Sequence, residues 1–197
     1  MKMLDKMLIV ITGTPGTGKT EVAKALSKIM KIRILDVKGL VKRKKIFKAG
    51  KNKGKNRSKE KEIEVDAGKL EKALKAELKT RKDAIIENHM LCEFGLPADF
   101  VFVLRTKPNV LEKRLLKRKY PDKKLHGNLI SEMLDYCSIK TKLNYQTRQV
   151  EIDTAGLTAL QTAKKIALVI RQGKNNKKRS VDNVDYTNYL KRYLKLK

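Results

Sequence analysis

The chain has 197 residues, 41% of them apolar, enough for one domain with a sizeable core. Lysine and arginine number 48 against 21 aspartates and glutamates, a formal charge of +27, and a field of that sign attracts polyanions. No apolar stretch approaches the roughly 20 residues of a membrane-spanning helix, and Cys92 and Cys137 have neither metal-ligand spacing nor a disulfide framework around them.

The apolar run behind Met1-Lys2-Met3-Leu4-Asp5-Lys6 is too short for a secretion signal, so the expectation is a soluble, cytoplasmic protein in a reducing compartment. Residues 7–12 read as a strand and 18–30 as a helix, with Gly13-Thr14-Pro15-Gly16-Thr17-Gly18-Lys19-Thr20 at their junction. The spacing G-x-x-x-x-G-K-T behind an apolar strand is a phosphate-binding loop. Gly13, Gly16 and Gly18 let the backbone curl until its N–H groups converge on phosphate oxygens, and Pro15 stiffens the curl around Thr17. The helix that follows turns its positive end toward the phosphates. Lys19 is the expected contact to the β- and γ-phosphates, and the Thr20 hydroxyl the expected ligand of the accompanying Mg²⁺.

Residues 31–36 read as a second strand and 37–47 as a basic amphipathic helix with Leu40, Val41, Ile46 and Phe47 inward. Residues 48–59 have no apolar period and only like charges, which predicts a mobile loop. Order returns at 62–66, and a helix over 67–80 carries Leu70, Leu74 and Leu78 as its buried stripe. Strands follow at 83–87 and 99–104, then a helix over 108–119 that Tyr120-Pro121-Asp122-Lys123-Lys124 breaks. A helix over 129–144, a strand over 150–153 and a helix over 157–171 with Leu160, Ala163, Ala167 and Ile170 inward complete the core. Strand and helix alternate about five times, and the strands are continuously apolar. That pattern predicts a three-layer α/β/α sandwich around a five-stranded parallel sheet. Beyond Gly173, residues 174–180 read as a linker to a short basic helix with Tyr186, Tyr189, Leu190 and Tyr193 on one side. That side either folds back on the core or stacks on RNA bases.

Phosphoryl transfer is positioning and charge neutralisation, so the chemistry needs a carboxylate near Mg²⁺ and arginines that close over the phosphates. Glu87 sits at the carboxyl end of an apolar strand, where ligands of such sheets bind; it reads as a metal- or water-orienting carboxylate or as a strand-end surface charge. His89, two residues on, could position a water or a phosphate or serve the fold alone. Arg114 and Arg118 share one helix face and suit a hinged basic lid, and Arg105 ends a strand on the ligand side as a further phosphate candidate. The excess charge reads as an RNA-facing surface or as solvated faces of a lysine-rich chain.

With these pieces assembled, the chain resembles the adenylate kinase isoenzyme 6 family, the CINAP-type nucleoside monophosphate kinases and their archaeal counterparts. Four stretches carry the resemblance: residues 13–20; Ile85-Ile86-Glu87-Asn88-His89; Phe102-Val103-Leu104-Arg105-Thr106 with Asn109-Val110-Leu111 and Arg114-Leu115; and Arg118-Lys119-Tyr120 with Lys123-Lys124-Leu125 and Asn128-Leu129. The resemblance covers about residues 7–170. It implies transfer of a phosphoryl group from ATP to AMP or a related monophosphate, with ATPase activity. It also implies a role in small ribosomal subunit maturation, with 16S-type rRNA processing, through a platform ribosomal protein, and rRNA contact would use the basic segments 42–61 and 174–197. The alternative is a ribosome-associated assembly ATPase with little kinase turnover.

By motif, Gly16, Gly18, Lys19, Thr20 and Glu21 would hold ATP, Glu87 and His89 would occupy the family's Asp-x-His positions, and Arg118 would be the lid arginine. Lys19, Glu87, His89 and Arg118 are then the catalytic set, and Thr20 and Glu87 the metal set. The organisation expected is a monomeric kinase domain over 1–173, with a monophosphate-binding segment near 37–66 and a lid near 117–127, followed by a basic extension over 174–197. Two departures stand out. Glu87 is one methylene longer than the family's aspartate, and Asp36-Val37-Lys38-Gly39-Leu40 replaces the family's Asn-Val-Gly-Asp-Leu, leaving Asp36, Lys42, Arg43 and Asp66 as acceptor-side candidates.

Overall fold

A computed structural model describes residues 7–47, 64–80, 83–147, 149–173, 182 and 184–195. Its centre is β1 (Leu8–Thr12), in which all five residues are buried. A strand apolar on both faces must be covered on both, and a parallel sheet between two helical layers provides that. β2 (Ile34–Leu35), β3 (Ala84–Glu87), β4 (Phe100–Arg105) and β5 (Gln149–Asp153) join it in the order β2-β3-β1-β4-β5, every pair parallel. Successive side chains alternate between faces. Ile9 and Ile11 therefore pack with Val22 and Leu26 of α1 (Lys19–Met30) and Ala163 and Ile166 of α7 (Ala159–Arg171). Leu8 and Val10 pack on the other face with Leu40 of α2 (Val37–Arg43) and with Leu70, Leu74 and Leu78 of α3 (Ala67–Lys79). The expected three-layer sandwich and five-stranded sheet are both present.

Several boundaries differ from the sequence reading. The helix expected over 37–47 stops at Arg43; Lys45 is left-handed at φ 49°, and Phe47 forms an antiparallel bridge with Val65. Helix α4 (Pro108–Lys117) ends early, and α5 (Asp122–Met133) begins inside the expected breaker. Pro121 just ahead of a helix with Asp122 in its first turn is a start signal. The helix expected over 129–144 is two, α5 and α6 (Tyr136–Asn144), divided at Asp135 with φ 55°. At that division the Glu132 carbonyl and the Asp135 carboxylate both accept from Arg105. Leu160 is 51% exposed, not inward. A capping box between Thr158 and Gln161 sets the phase of α7, so Ile166 takes the inward stripe with Ala163, Ala167 and Ile170.

The tyrosine-bearing helix is α8 (Thr187–Lys195), and it folds back on the core. Tyr186 is buried among Leu111, Leu115, Leu125, Leu129 and Met133, with Tyr189, Leu190 and Tyr193 beside it. Asp182 anchors the approach to α8, accepting from the Asp153 backbone N–H at 2.8 Å and from Lys165 Nζ at 2.6 Å. Stacking of these tyrosines on bases is thereby replaced by packing on α4 and α5. The expected loop over 48–59, Glu62-Ile63 and the linker over 174–180 lie outside the described residues. Among the described residues no helix is long and apolar enough to cross a membrane.

Candidate active site

The loop between β1 and α1 has the curl its glycines predict. Gly16 and Gly18 have φ near +99°, and a Cβ at Gly13 would lie 2.3 Å from the Leu104 carbonyl oxygen. The Thr17 backbone N–H and hydroxyl both donate to the Thr14 carbonyl, at 3.2 and 2.9 Å. The Thr14 hydroxyl donates to Glu132 at 2.5 Å, and Thr154 donates to the Thr17 carbonyl at 3.1 Å, so the loop is tied to α5 and to the exit of β5.

Lys19 is buried in the loop's centre, its ammonium donating to the carbonyls of Gly13 and Thr14 at 2.8 and 3.0 Å. Desolvation lowers its pKa to about 8, against the nearby Cys137, Glu87 and Glu132, which favour the charged form. One residue on, the Thr20 hydroxyl donates to Glu87 Oε1 at 3.0 Å. These two residues are 67 apart in sequence and meet because β1 and β3 are parallel neighbours with Ile11 opposite Glu87. His89 follows in a 3₁₀ turn that Asn88 caps by accepting from the Met90 N–H at 2.9 Å. Desolvation, then the charges of Lys19, Lys124 and Lys38, lower the His89 pKa to about 4 although the residue as a whole is exposed.

Two cavities flank the loop. The larger, about 490 Å³, is bounded by Gly16, Gly18, Arg114, Arg118, Thr154 and Ala159. The smaller, about 150 Å³, is bounded by Pro15, Lys19, Thr20, Glu87, His89 and Lys38. Gly16, Gly18, Glu21 and Arg118 border both, so Arg118, just past the end of α4, stands over the boundary between them. Glu21 also pairs with Lys24 at 2.9 Å. Every residue of the expected catalytic and metal sets therefore converges on one cleft. Among the described residues no cluster of three or more His, Cys, Asp or Glu forms a protein-only metal site. The Thr20 and Glu87 oxygens are the hard donors that Mg²⁺ takes when phosphates and water supply the rest of its shell.

Other candidates lie elsewhere. Arg105 is 1% exposed and borders neither cavity; it donates to Glu132 at 2.9 Å, to Ser138 at 3.0 Å, to Glu151 at 3.3 Å and to Asp135. Burial opposes its charge, but Glu132 and Asp135 outweigh that and hold its pKa above the ordinary guanidinium value. It is a structural cation, not a phosphate ligand. Arg114 donates to the Gly16 carbonyl at 3.4 Å and to Thr154 at 3.3 Å, bracing the loop from the side. Asp36 and Asp66 cap α2 and α3 through the N–H groups of Gly39 and Lys69, at 2.8 and 3.0 Å, while Lys42 and Arg43 are exposed near the end of α2 and border neither cavity. The isolated cysteines meet, with Sγ atoms 3.8 Å apart behind the loop. Sequence reasoning missed Lys38, Thr154 and Ala159. The only local trace of Lys38 was its departure from the family pattern, and the β5 exit carries no motif.

Comparison with known proteins places this site in a family. Residues 9–135 match a family model described as an AAA domain. The chain is 31% identical over 181 residues to the "Putative adenylate kinase" of Thermococcus kodakarensis, covering 92% of this chain and 93% of that protein. It is 33% identical over 183 residues to the protein of the same name from Pyrococcus furiosus, covering 92% of each. In fold it is similar to shikimate kinase from Acinetobacter baumannii in complex with shikimate, with TM-score 0.56 and 16% identity over 88% of this chain and 96% of that one. It is also similar to deoxyadenosine kinase from M. mycoides with bound dATP, with TM-score 0.53 and 14% identity over 84% and 100%. Identities that low speak for the shared kinase fold alone. The sequence matches reach further, over nearly the whole of each chain, and the chain belongs to the AAA-domain family and to the group of archaeal proteins named "Putative adenylate kinase".

Proposed function

We propose that this chain is an adenylate kinase-type phosphotransferase that converts ATP and AMP to two ADP. The observation that carries the reading is the Thr20 to Glu87 contact of 3.0 Å in the wall of the smaller cavity, with Lys19 buried beside it. The larger cavity has the volume for a nucleoside and the smaller one the volume for phosphate groups. In this reading the backbone of Gly13, Pro15, Gly16, Thr17 and Gly18, with Glu21 at the start of α1, holds the donor. Lys19 and Arg118 offset charge on the transferred group. Thr20 and Glu87 would hold Mg²⁺, which would supply charge neutralisation at the phosphates. Glu87 orients the acceptor or its water shell, and His89, its pKa held low, acts as a neutral hydrogen-bonding group at neutral pH. The domain comprises 1–173, with an acceptor segment near 37–66 and a lid near 117–127. Assignment to the isoenzyme 6 branch belongs to the same proposal.

A second reading is favoured by the +27 charge and by α8, whose Lys191, Arg192 and Lys195 are exposed while its tyrosines turn inward. There the chain is an ATPase of small-subunit assembly, bound to a platform ribosomal protein and to rRNA by charge. Quantifying ADP and free phosphate from Mg·ATP with and without AMP separates the two. ADP formation that requires AMP and disappears in Lys19→Met is expected; phosphate release indifferent to AMP would overturn the kinase reading in favour of the second.

A further inference from the structure

The strand order decides what walls each cavity. β4 and β5 lie on one side of β1, so the larger cavity takes its wall from Arg114, Thr154 and Ala159. β3 and β2 lie on the other, so the smaller cavity is closed by Glu87, Asn88 and His89 at the end of β3 and by Lys38 from the helix that follows β2. Lys38 is placed there by a locked turn. Asp36 accepts from the Gly39 N–H at 2.8 Å, and a Cβ at position 39 would meet the other Asp36 carboxylate oxygen at 2.1 Å. Val37 and Leu40 on either side are buried at 3% and 0%, which pins the backbone to the core and leaves Lys38 on the exposed, cleft-facing side.

We infer that Lys38 is a specificity-determining residue, whose ammonium binds the phosphate of the acceptor and restricts acceptors to phosphomonoesters. The inference rests on the phosphotransferase reading above. A cavity of about 150 Å³ lined by Lys19, Lys38 and Arg118, with Glu21 and Glu87 as its carboxylates, keeps an excess of positive charge and has the size of a phosphate group rather than of a nucleoside. A phosphomonoester carries between one and two negative charges near neutral pH, and the lysine ammonium presents three donors as a compact point charge. A neutral alcohol acceptor gains nothing from that charge and would leave it facing the transferred phosphate alone. Lys38 touches the phosphate that stays on the acceptor, so it acts on acceptor affinity and not on the donor.

Steady-state kinetics and AMP calorimetry on the full chain, Lys38→Ala, Lys38→Arg and Lys44→Ala test this. Lys44 caps the end of the same helix, is exposed and borders neither cavity, so it controls for general surface charge. A lost charge-assisted hydrogen bond predicts that Lys38→Ala raises KM and Kd for AMP about tenfold to a hundredfold while KM for ATP moves by less than about twofold. Lys38→Arg should recover most of the AMP affinity, and Lys44→Ala should behave as wild type. Equal losses in the alanine variants of 38 and 44, or AMP affinity unchanged in Lys38→Ala while wild-type turnover persists, would overturn the assignment and leave the kinase reading standing. A wild-type chain that neither binds nor phosphorylates AMP would overturn both.

Discussion

Replacing Tyr186 by alanine asks whether the C-terminal helix is part of the kinase body or a passenger on it. Tyr186 is 4% exposed, its ring lies 5.2 Å from the Arg105 guanidinium carbon, and it meets Tyr189 edge-on at 6.0 Å. Truncating a large buried aromatic side chain costs about 3–5 kcal/mol when the surroundings cannot collapse. A terminal helix can detach instead, which bounds the loss at its docking energy, so the lower end, about 3 kcal/mol, is expected. For a chain of this size that corresponds to a fall in Tm of roughly 6–12 °C. The phenol supplies a test of sign. Its hydroxyl is buried with no hydrogen-bond partner among the described residues, so Tyr186→Phe removes a desolvated polar atom and keeps the packing. Recovery of about 1 kcal/mol would raise Tm by roughly 2–4 °C. Thermal unfolding of the full-length variants, followed by calorimetry, reads both shifts. An alanine variant melting within about 1 °C of wild type would refute the docked helix.

Arg105→Met leaves Glu132 buried without its counter-charge, and breaking a buried pair in this way costs about 3–5 kcal/mol. The denaturant midpoint checks it, and a loss below about 1 kcal/mol would mean the cluster is not holding α5 against β4. Gly39→Ala should cost about 1–2 kcal/mol because the new Cβ displaces the Asp36 cap, and AMP affinity should fall with it while ATP affinity does not. Lys19 titrates near pH 8 in the fold against 10.5 ordinarily, so the unfolded chain binds the extra proton between those values. Stability of the nucleotide-free protein should therefore rise with pH across that window relative to Lys19→Met, which carries no proton there. Parallel pH profiles for the two proteins would contradict the buried ammonium.

How far the sequence could be read depends on whether a feature is encoded by neighbours along the chain. The phosphate-binding loop is encoded so: glycine spacing, the strand before it and the helix after it are local, and Gly13 to Thr20 stand where the spacing puts them. The same holds for the Leu70, Leu74, Leu78 stripe and for the parallel sheet, because periodicity states which faces must be buried. Glu87 was legible as a strand-end carboxylate, but its hydroxyl partner Thr20 needed the β1 to β3 register.

Other features had no local signature. Arg105 ends a strand on the ligand side, and only the return of α5 and α6, with β5 paired beside β4, shows that Glu132, Asp135, Ser138 and Glu151 enclose it. The break at Asp135, with φ 55°, lies within that same enclosure and has no glycine or proline to announce it. Tyrosines at helical spacing suited a core and an RNA surface equally, and the groove between α4 and α5 decided for the core. Lys38 was one lysine among many until strand order placed it opposite the loop. The chain alone therefore determined which chemistry is present, since phosphate recognition is written in consecutive residues, and only tertiary structure decided which of the many cations reach it, since charge carries no address until the fold supplies one.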